Sequence, residues 1–306
     1  MKFTETTVNL PDDYEGTVIA TLIQANAPQP SEHAVLYLHG YVDYFFQEHM
    51  AERFTDDGWN FYALDLRKYG RSLLPHQHTN YCRSLREYYP EIDTAISAIR
   101  TSGNHRIVLL GHSTGGLLAS LYTADGKERK HIDKLILNSP FFEFNTTWFK
   151  RRIAIPVTSL LSLVFPYAHK QNELSPYYAD SVHRSLRGEW NYDLKWKPRE
   201  GIPLYFAWLR AVRRGQKQLK RGLHIRIPVL VMHSDRSSME PVWNDLYTRT
   251  DAVLNVEDIK RYIPCLGDNL TDMEIAGGLH DLVLSAPEVR ERVFRQMLAW
   301  LDNKKG

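Results

Sequence analysis

Residues 106–116 read RIVLLGHSTGG, an apolar segment running straight into a serine bracketed by glycines. A G-x-S-x-G pattern alone is weak. It has mechanical meaning only at a sharp strand-to-helix turn, where the glycines let the backbone bend without Cβ clashes and push the serine hydroxyl outward. Here IVLL precedes Gly111, and the residues from Gly115 onward read as a helix start, so both conditions are met. Ser113 is therefore the candidate nucleophile, and the alternative is an ordinary turn serine.

Working outward, short aliphatic runs alternate with segments of helical period, the pattern of a mostly parallel sheet covered by helices. Strands are expected over 34–40, 60–67, 106–113, 134–140, 228–235 and 271–280, with near-continuous hydrophobicity marking burial on both faces. Residues 3–10 and 17–24 alternate more and suggest an antiparallel hairpin at the sheet edge. Helices are expected over 44–57, 85–102, 115–125 and 287–301. The rhythm breaks between 141 and 223, where tryptophans, tyrosines and prolines gather among helical segments. The fold class is α/β: a mostly parallel central sheet of about eight strands flanked by helices, with a helical cap inserted after the sixth strand. The core is assigned to 1–140 and 225–306, and the cap to 141–224.

A serine hydroxyl needs a base, and the base needs a group that fixes its tautomer. Behind a strand-to-helix serine of this kind, the acid and the histidine follow in that chain order. Asp235 ends the run PVLVMHSD, and His280 follows TDMEIAGGL. Both are expected at the carboxyl edge of the sheet. Asp235 also reads as a helix-capping aspartate, and His280 is one of 13 histidines. Charge developing on a tetrahedral intermediate needs donors, expected from the backbone N–H groups of Thr114 and of Tyr41 in the turn LHGY.

LHGY, DLRKYGRS (65–72), GHSTGG, the aspartate after PVLVMHS and GGLHD together resemble the α/β-hydrolase superfamily. The nearest group is the monoacylglycerol lipase-like and lysophospholipase-like hydrolases, with serine aminopeptidase-type members. The resemblance covers roughly residues 34–140 and 225–301. It implies the α/β-hydrolase fold, a cap that shapes the substrate pocket, and a bracing role for Asp65, Arg67 and Ser72 beside the active site. The chain departs from the pattern in the run YVDYFF (41–46), and in the long DAVLNVEDIKRYIPCLGDN (251–269), which reads as an extra helix and loop.

The bulk composition excludes other classes. Lys+Arg 38 against Asp+Glu 36, with both signs interspersed, gives no polyanion-binding tail and no support for nucleic acid. Cys82 and Cys265 have no metal-ligand spacing, and with no secretory signal in MKFTETTVNL the expectation is a cytoplasmic protein without disulfides. The apolar run IAIPVTSLLSLVFPYA (153–168) is interrupted by prolines and too short to span a bilayer, so it reads as a buried or pocket-lining helix. Lys150, Arg151 and Arg152 ahead of it are compatible with membrane-surface contact, but a solvated helix start is the preferred reading.

The expected chemistry is acyl transfer from an apolar or aryl ester to water through Ser113, His280 and Asp235, with no metal or organic cofactor and a small-molecule substrate as partner. Two alternatives stand beside it. An aminopeptidase or amidase would need cap carboxylates such as Glu143, Glu173 or Glu189 to hold an amino terminus. A catalytically silent member would serve as a ligand-binding module.

Overall fold

The computed structural model describes residues 2–171 and 175–302. Eight strands form one sheet: β1 (Thr4–Asp13), β2 (Gly16–Ala25), β3 (His33–Leu38), β4 (Asn60–Asp65), β5 (Arg106–His112), β6 (Ile132–Asn138), β7 (Val229–Ser234) and β8 (Leu270–Ile275). Their order is β1-β2-β4-β3-β5-β6-β7-β8. Only the β1–β2 and β2–β4 pairings are antiparallel, so the hairpin lies at one edge of an otherwise parallel sheet.

The central strands are apolar throughout because successive side chains enter two different cores. Leu36, Leu38, Ile107 and Leu109 face one layer, formed by α2 (Tyr89–Thr101), α3 (Thr114–Asp125) and α6 (Phe206–Leu219). Val35, Tyr37, Val108 and Leu110 face the other, with α1 (Glu48–Asp56) and α8 (Pro287–Asp302). Each strand end then projects loops from one edge, which is where chemistry collects in open parallel sheets.

The segment between β6 and β7 holds α4 (Ile155–Leu161), α5 (Pro176–Val182), α6 and a two-residue pairing of His169–Lys170 with Leu204–Tyr205. It is helical, as expected, but its parts differ. α6 buries Trp208, Leu209, Val212 and Leu219 in the core beside α3, and a Cβ on Gly215 would meet Leu121 and Leu85 at 2.9 Å. A side chain at 215 would force those two leucine methyls to move.

Three local expectations are corrected. α1 starts at Glu48, not 44, because the preceding loop is tied down by the Phe45 N–H, which donates to Asp65 Oδ1 at 2.8 Å. The last strand stops at Ile275, since Gly277 turns the chain with a φ of 76° before His280. The run 153–168 is not buried: Ile153, Val157, Leu160, Leu161 and Leu163 through Phe165 are exposed, and only Ser159 and Ser162 are buried. Among the described residues no helix is long and apolar enough to cross a membrane.

Candidate active site

β5 delivers Ser113 to the edge of the sheet and α3 begins at the next residue. Ser113 has φ 53° and ψ −117°, a conformation that side-chain-bearing residues avoid. The neighbouring glycines make it tolerable. A Cβ on Gly111 would lie 2.5 Å from the Gly115 carbonyl oxygen, and one on Gly115 would lie 2.4 Å from the oxygens of Leu38 and His39. The Ser113 N–H donates to the Asn138 carbonyl at 3.0 Å, while its own carbonyl accepts from Gly116 and Phe141. Strand, turn and helix thus fix the side chain.

Ser113 Oγ is 3.0 Å from His280 Nε2, and His280 Nδ1 is 2.9 Å from a carboxylate. A carboxylate only accepts, so Nδ1 carries the proton and Nε2 is left to accept from the serine hydroxyl. The carboxylate belongs to Asp251, not to Asp235. Asp251 is fully buried, and its other oxygen accepts the N–H groups of Val253 and Leu254 at 2.9 and 2.7 Å. Those bonds aim Oδ2 at the imidazole.

The expectation for Asp235 is therefore corrected. Asp235 Oδ1 accepts the Gly277 N–H at 2.9 Å and Oδ2 accepts from Arg236 at 2.8 Å. Burial alone would raise this carboxyl, but the Gly277 N–H and the Arg236 guanidinium outweigh it and hold the group below its ordinary range. It braces the turn leading to His280. After β7 the chain makes an excursion and returns: Ser237 and Asp251 form a parallel bridge, with Asp251 N–H on the Arg236 carbonyl and Ser238 N–H on the Asp251 carbonyl. The returning residue, not the first one after the strand, reaches the histidine. A signal for it is present in DAVLN: an aspartate, three apolar residues and then Asn255, whose side chain caps α7 (Val256–Tyr262) by accepting from Glu257 N–H.

The LHGY turn packs directly on the serine, since a Cβ on Gly40 would lie 3.1 Å from Ser113 Cβ. Tyr41 follows, and Thr114 opens α3, where first-turn N–H groups have no intrahelical acceptor. Next to Tyr41, Val42 has a φ of 51°, costly for a β-branched residue. Its N–H donates to Asn80 Oδ1 at 2.9 Å, which holds it there. The segment 178–208 grips the same loop. Lys197 Nζ pairs with buried Asp43 at 2.6 Å, the Asp193 N–H donates to Tyr44 Oη at 2.6 Å, and Trp208 lies against the Tyr41 ring with centroids 4.0 Å apart.

DLRKYGRS braces this region from below. Asp65 accepts from Phe45 N–H and from Arg71, Arg67 forms a buried ion pair with Glu91, and Ser72 Oγ donates to the Asp65 carbonyl at 2.8 Å. Beneath the histidine, buried Asp281 accepts from Asn138 Nδ2 at 2.7 Å and Gln47 Nε2 at 3.0 Å. Burial pushes the neighbouring His112 imidazole below its ordinary value. Tyr178 of α5 stands edge-on to the His280 ring at 5.7 Å.

The cap carboxylates considered for amine recognition are otherwise engaged. Glu143 pairs with Lys220, and Glu189 pairs with Arg290 on the exterior. Glu173 lies outside the described residues.

Residues 29–241 match the family described as "Serine aminopeptidase, S33". A monoacylglycerol lipase of Mycolicibacterium smegmatis is 27% identical over 214 residues, covering 68% of this chain and 71% of the relative. In structure, a soluble variant of the Saccharomyces cerevisiae monoglyceride lipase, solved with a substrate analog, superposes with a TM-score of 0.73 at 16% identity, covering 98% of this chain and 97% of that one. The Paleococcus ferrophilus monoacylglycerol lipase does so with a TM-score of 0.69 at 20% identity, covering 98% of each. With more than half its length matched to the family and the eight-stranded sheet shared with these structures, the chain belongs to the serine aminopeptidase S33 family of α/β-hydrolases.

Proposed function

We propose that the protein is a serine hydrolase that cleaves carboxylic esters of an apolar acyl or aryl group through Ser113, His280 and Asp251. The observation that carries this reading is the continuous chain of contacts from Ser113 Oγ to His280 Nε2 at 3.0 Å and from His280 Nδ1 to Asp251 at 2.9 Å. Ser113 Oγ attacks the ester carbonyl while its proton passes to Nε2. The imidazolium, stabilised by Asp251, then protonates the departing alcohol. Water enters, gives its proton to Nε2 and attacks the acyl-enzyme, and collapse of the second tetrahedral species returns the hydroxyl proton to Ser113.

The oxyanion is assigned to the N–H groups of Thr114 and Tyr41. Gly40 against Ser113 supports this, as does the position of Thr114 at the open end of α3. Residues 141–224 are assigned a covering role before α6, supported by the contacts that Tyr178, Asp193 and Lys197 make with His280 and the Tyr41 loop. Rings of Tyr41, Trp208 and Tyr178 beside the triad favour an apolar acyl group. The similarity to a monoacylglycerol lipase suggests monoesters of glycerol as the first compounds to try.

An ester series of increasing acyl length, run on wild type and Ser113→Ala beside amino-acyl amides, tests this. Ester turnover that vanishes in Ser113→Ala is expected. Preference for the amides would overturn the ester assignment; the pairing of Glu143 and Glu189 with cations already disfavours an amine-binding role for them.

A further inference from the structure

The helix entering and following α4 has its polarity inverted. The side chains turned into the protein are Ser159 and Ser162, 5% and 2% exposed, whereas Trp148, Leu160 and Val164 are 70%, 66% and 71% exposed. Phe149, Val157, Leu163 and Phe165 are exposed with them. The inward hydroxyls need no water: Thr158 Oγ1, Ser159 Oγ and Ser162 Oγ donate to the carbonyls of Ala154, Ile155 and Ser159 at 2.7 to 2.8 Å. A helix sealed inside by its own hydroxyls and apolar outside is the reverse of a water-facing helix. An apolar surface of this extent marks an interaction site.

Its charge surroundings identify the partner. Between Glu143 and Glu173 the sequence has no Asp or Glu but carries Lys150, Arg151, Arg152 and Lys170. α4 packs against α6, and residues 201–234 carry seven Lys and Arg and again no acid. Arg151 is committed to Asp258, and Lys220 to Glu143. Arg152, Arg214, Lys217 and Arg221 are exposed, and the positive charges of Arg213 and Arg221 push the Lys217 ammonium below its ordinary value, with burial adding to the shift. An apolar stripe bordered by the exposed cations Arg152, Arg214, Lys217 and Arg221 fits a layer that is apolar inside and anionic at its face. A second copy of the chain fits less well, because two-fold pairing sets each basic surface toward its own equivalent.

We infer that residues 148–165 dock the protein on the surface of an anionic lipid bilayer, with Trp148, Leu160, Val164 and Phe165 entering the acyl boundary and Arg152 and the outer face of α6 meeting the headgroups. The stripe begins seven residues after Phe141, whose N–H is bonded to the Ser113 carbonyl, so the docking segment leaves the core next to the nucleophile turn. The inference concerns binding and stands apart from hydrolysis.

Vesicle co-sedimentation of the intact protein tests it. Vesicles of phosphatidylcholine alone are compared with vesicles of roughly three parts phosphatidylcholine to one part phosphatidylglycerol. Wild type is expected to partition at least about ten-fold more strongly onto the anionic vesicles and to be released by added salt. Arg152→Ala should weaken binding about five-fold. The double variant Leu160→Ser, Val164→Ser should weaken it about twenty-fold or more, while its circular dichroism and its turnover of a soluble short-chain ester stay at wild-type level. Equal sedimentation of wild type and the double variant would overturn the inference. So would a lipid-free dimer dissociated by those same two substitutions, since the stripe would then belong to a second copy. Ser113→Ala should bind vesicles like wild type, so loss of the hydrolase reading and loss of the docking surface show up in different measurements.

Discussion

Asp251 Oδ2 lies 2.9 Å from His280 Nδ1, and Asp235, sixteen residues earlier in the sequence, is bonded instead to Gly277 and Arg236. The two aspartates therefore separate by substitution. Asp251→Asn places an amide where a carboxylate fixed the tautomer and stabilised the imidazolium, so kcat should fall by about 10⁴. Asp235→Asn loses a charged acceptor for one N–H, should cost about 1 kcal/mol of stability and should leave kcat within a few-fold. Steady-state ester hydrolysis and urea melts of both variants decide the matter.

The difference between the two aspartates shows where sequence reading ends. The elbow was legible because its requirements are local: IVLL, the glycines and the helix start all lie within a dozen residues. His280 was legible because Gly277 and Gly278 announce a turn after a strand. The acid depended on a non-local event, the return of the chain from its excursion and the Ser237–Asp251 bridge, which no periodicity records. The 153–168 run failed differently. Hydrophobicity ordinarily implies burial, whereas here the serines face inward and the leucines face out.

The strained loop at Tyr41 is held by groups that do not touch the triad. Val42 keeps its left-handed conformation through Asn80, and Asp43 is fixed by Lys197. Removing one oxyanion donor outright costs about 10² to 10³ in kcat in a studied enzyme. Lys197→Met, which loosens the loop without deleting a donor, should lower kcat about ten-fold with KM within two-fold. A rise in KM alone would show that the pair serves substrate binding instead.

Asp281 sets an acid limit on stability. Burial alone would raise its carboxyl, but the His112 charge, the Gln47 amide, the Lys197 charge and the Asn138 amide outweigh it and hold it below the ordinary carboxylate range. A carboxyl lower in the folded than in the unfolded state binds more protons on unfolding. Its contribution is therefore present above its unfolded value and is lost as pH falls through the folded value. Thermal melts should show Tm falling below about pH 4. In Asp281→Asn that dependence should be shallower, from a lower Tm at neutral pH.

Gly115 admits no side chain, because a Cβ there would lie 2.4 Å from two carbonyl oxygens of the β3 turn. Gly115→Ala should lose about 3 kcal/mol, at the upper end of the cost of overpacking, because backbone rather than a flexible side chain must yield. Chemical denaturation measures the loss. A stability equal to wild type would mean that α3 and the β3 turn are less closely packed than the geometry requires.

We propose Ser113 as the nucleophile, activated by His280 with Asp251. Intact-mass measurement after exposure to a fluorophosphonate tests this most directly, run on wild type, Ser113→Ala, Asp251→Asn and Asp235→Asn. One adduct is expected on wild type, mapped to Ser113, and none on Ser113→Ala, with labelling slowed by orders of magnitude in Asp251→Asn and near wild-type in Asp235→Asn. Equal labelling of Ser113→Ala, or the reverse order for the two aspartates, would contradict it.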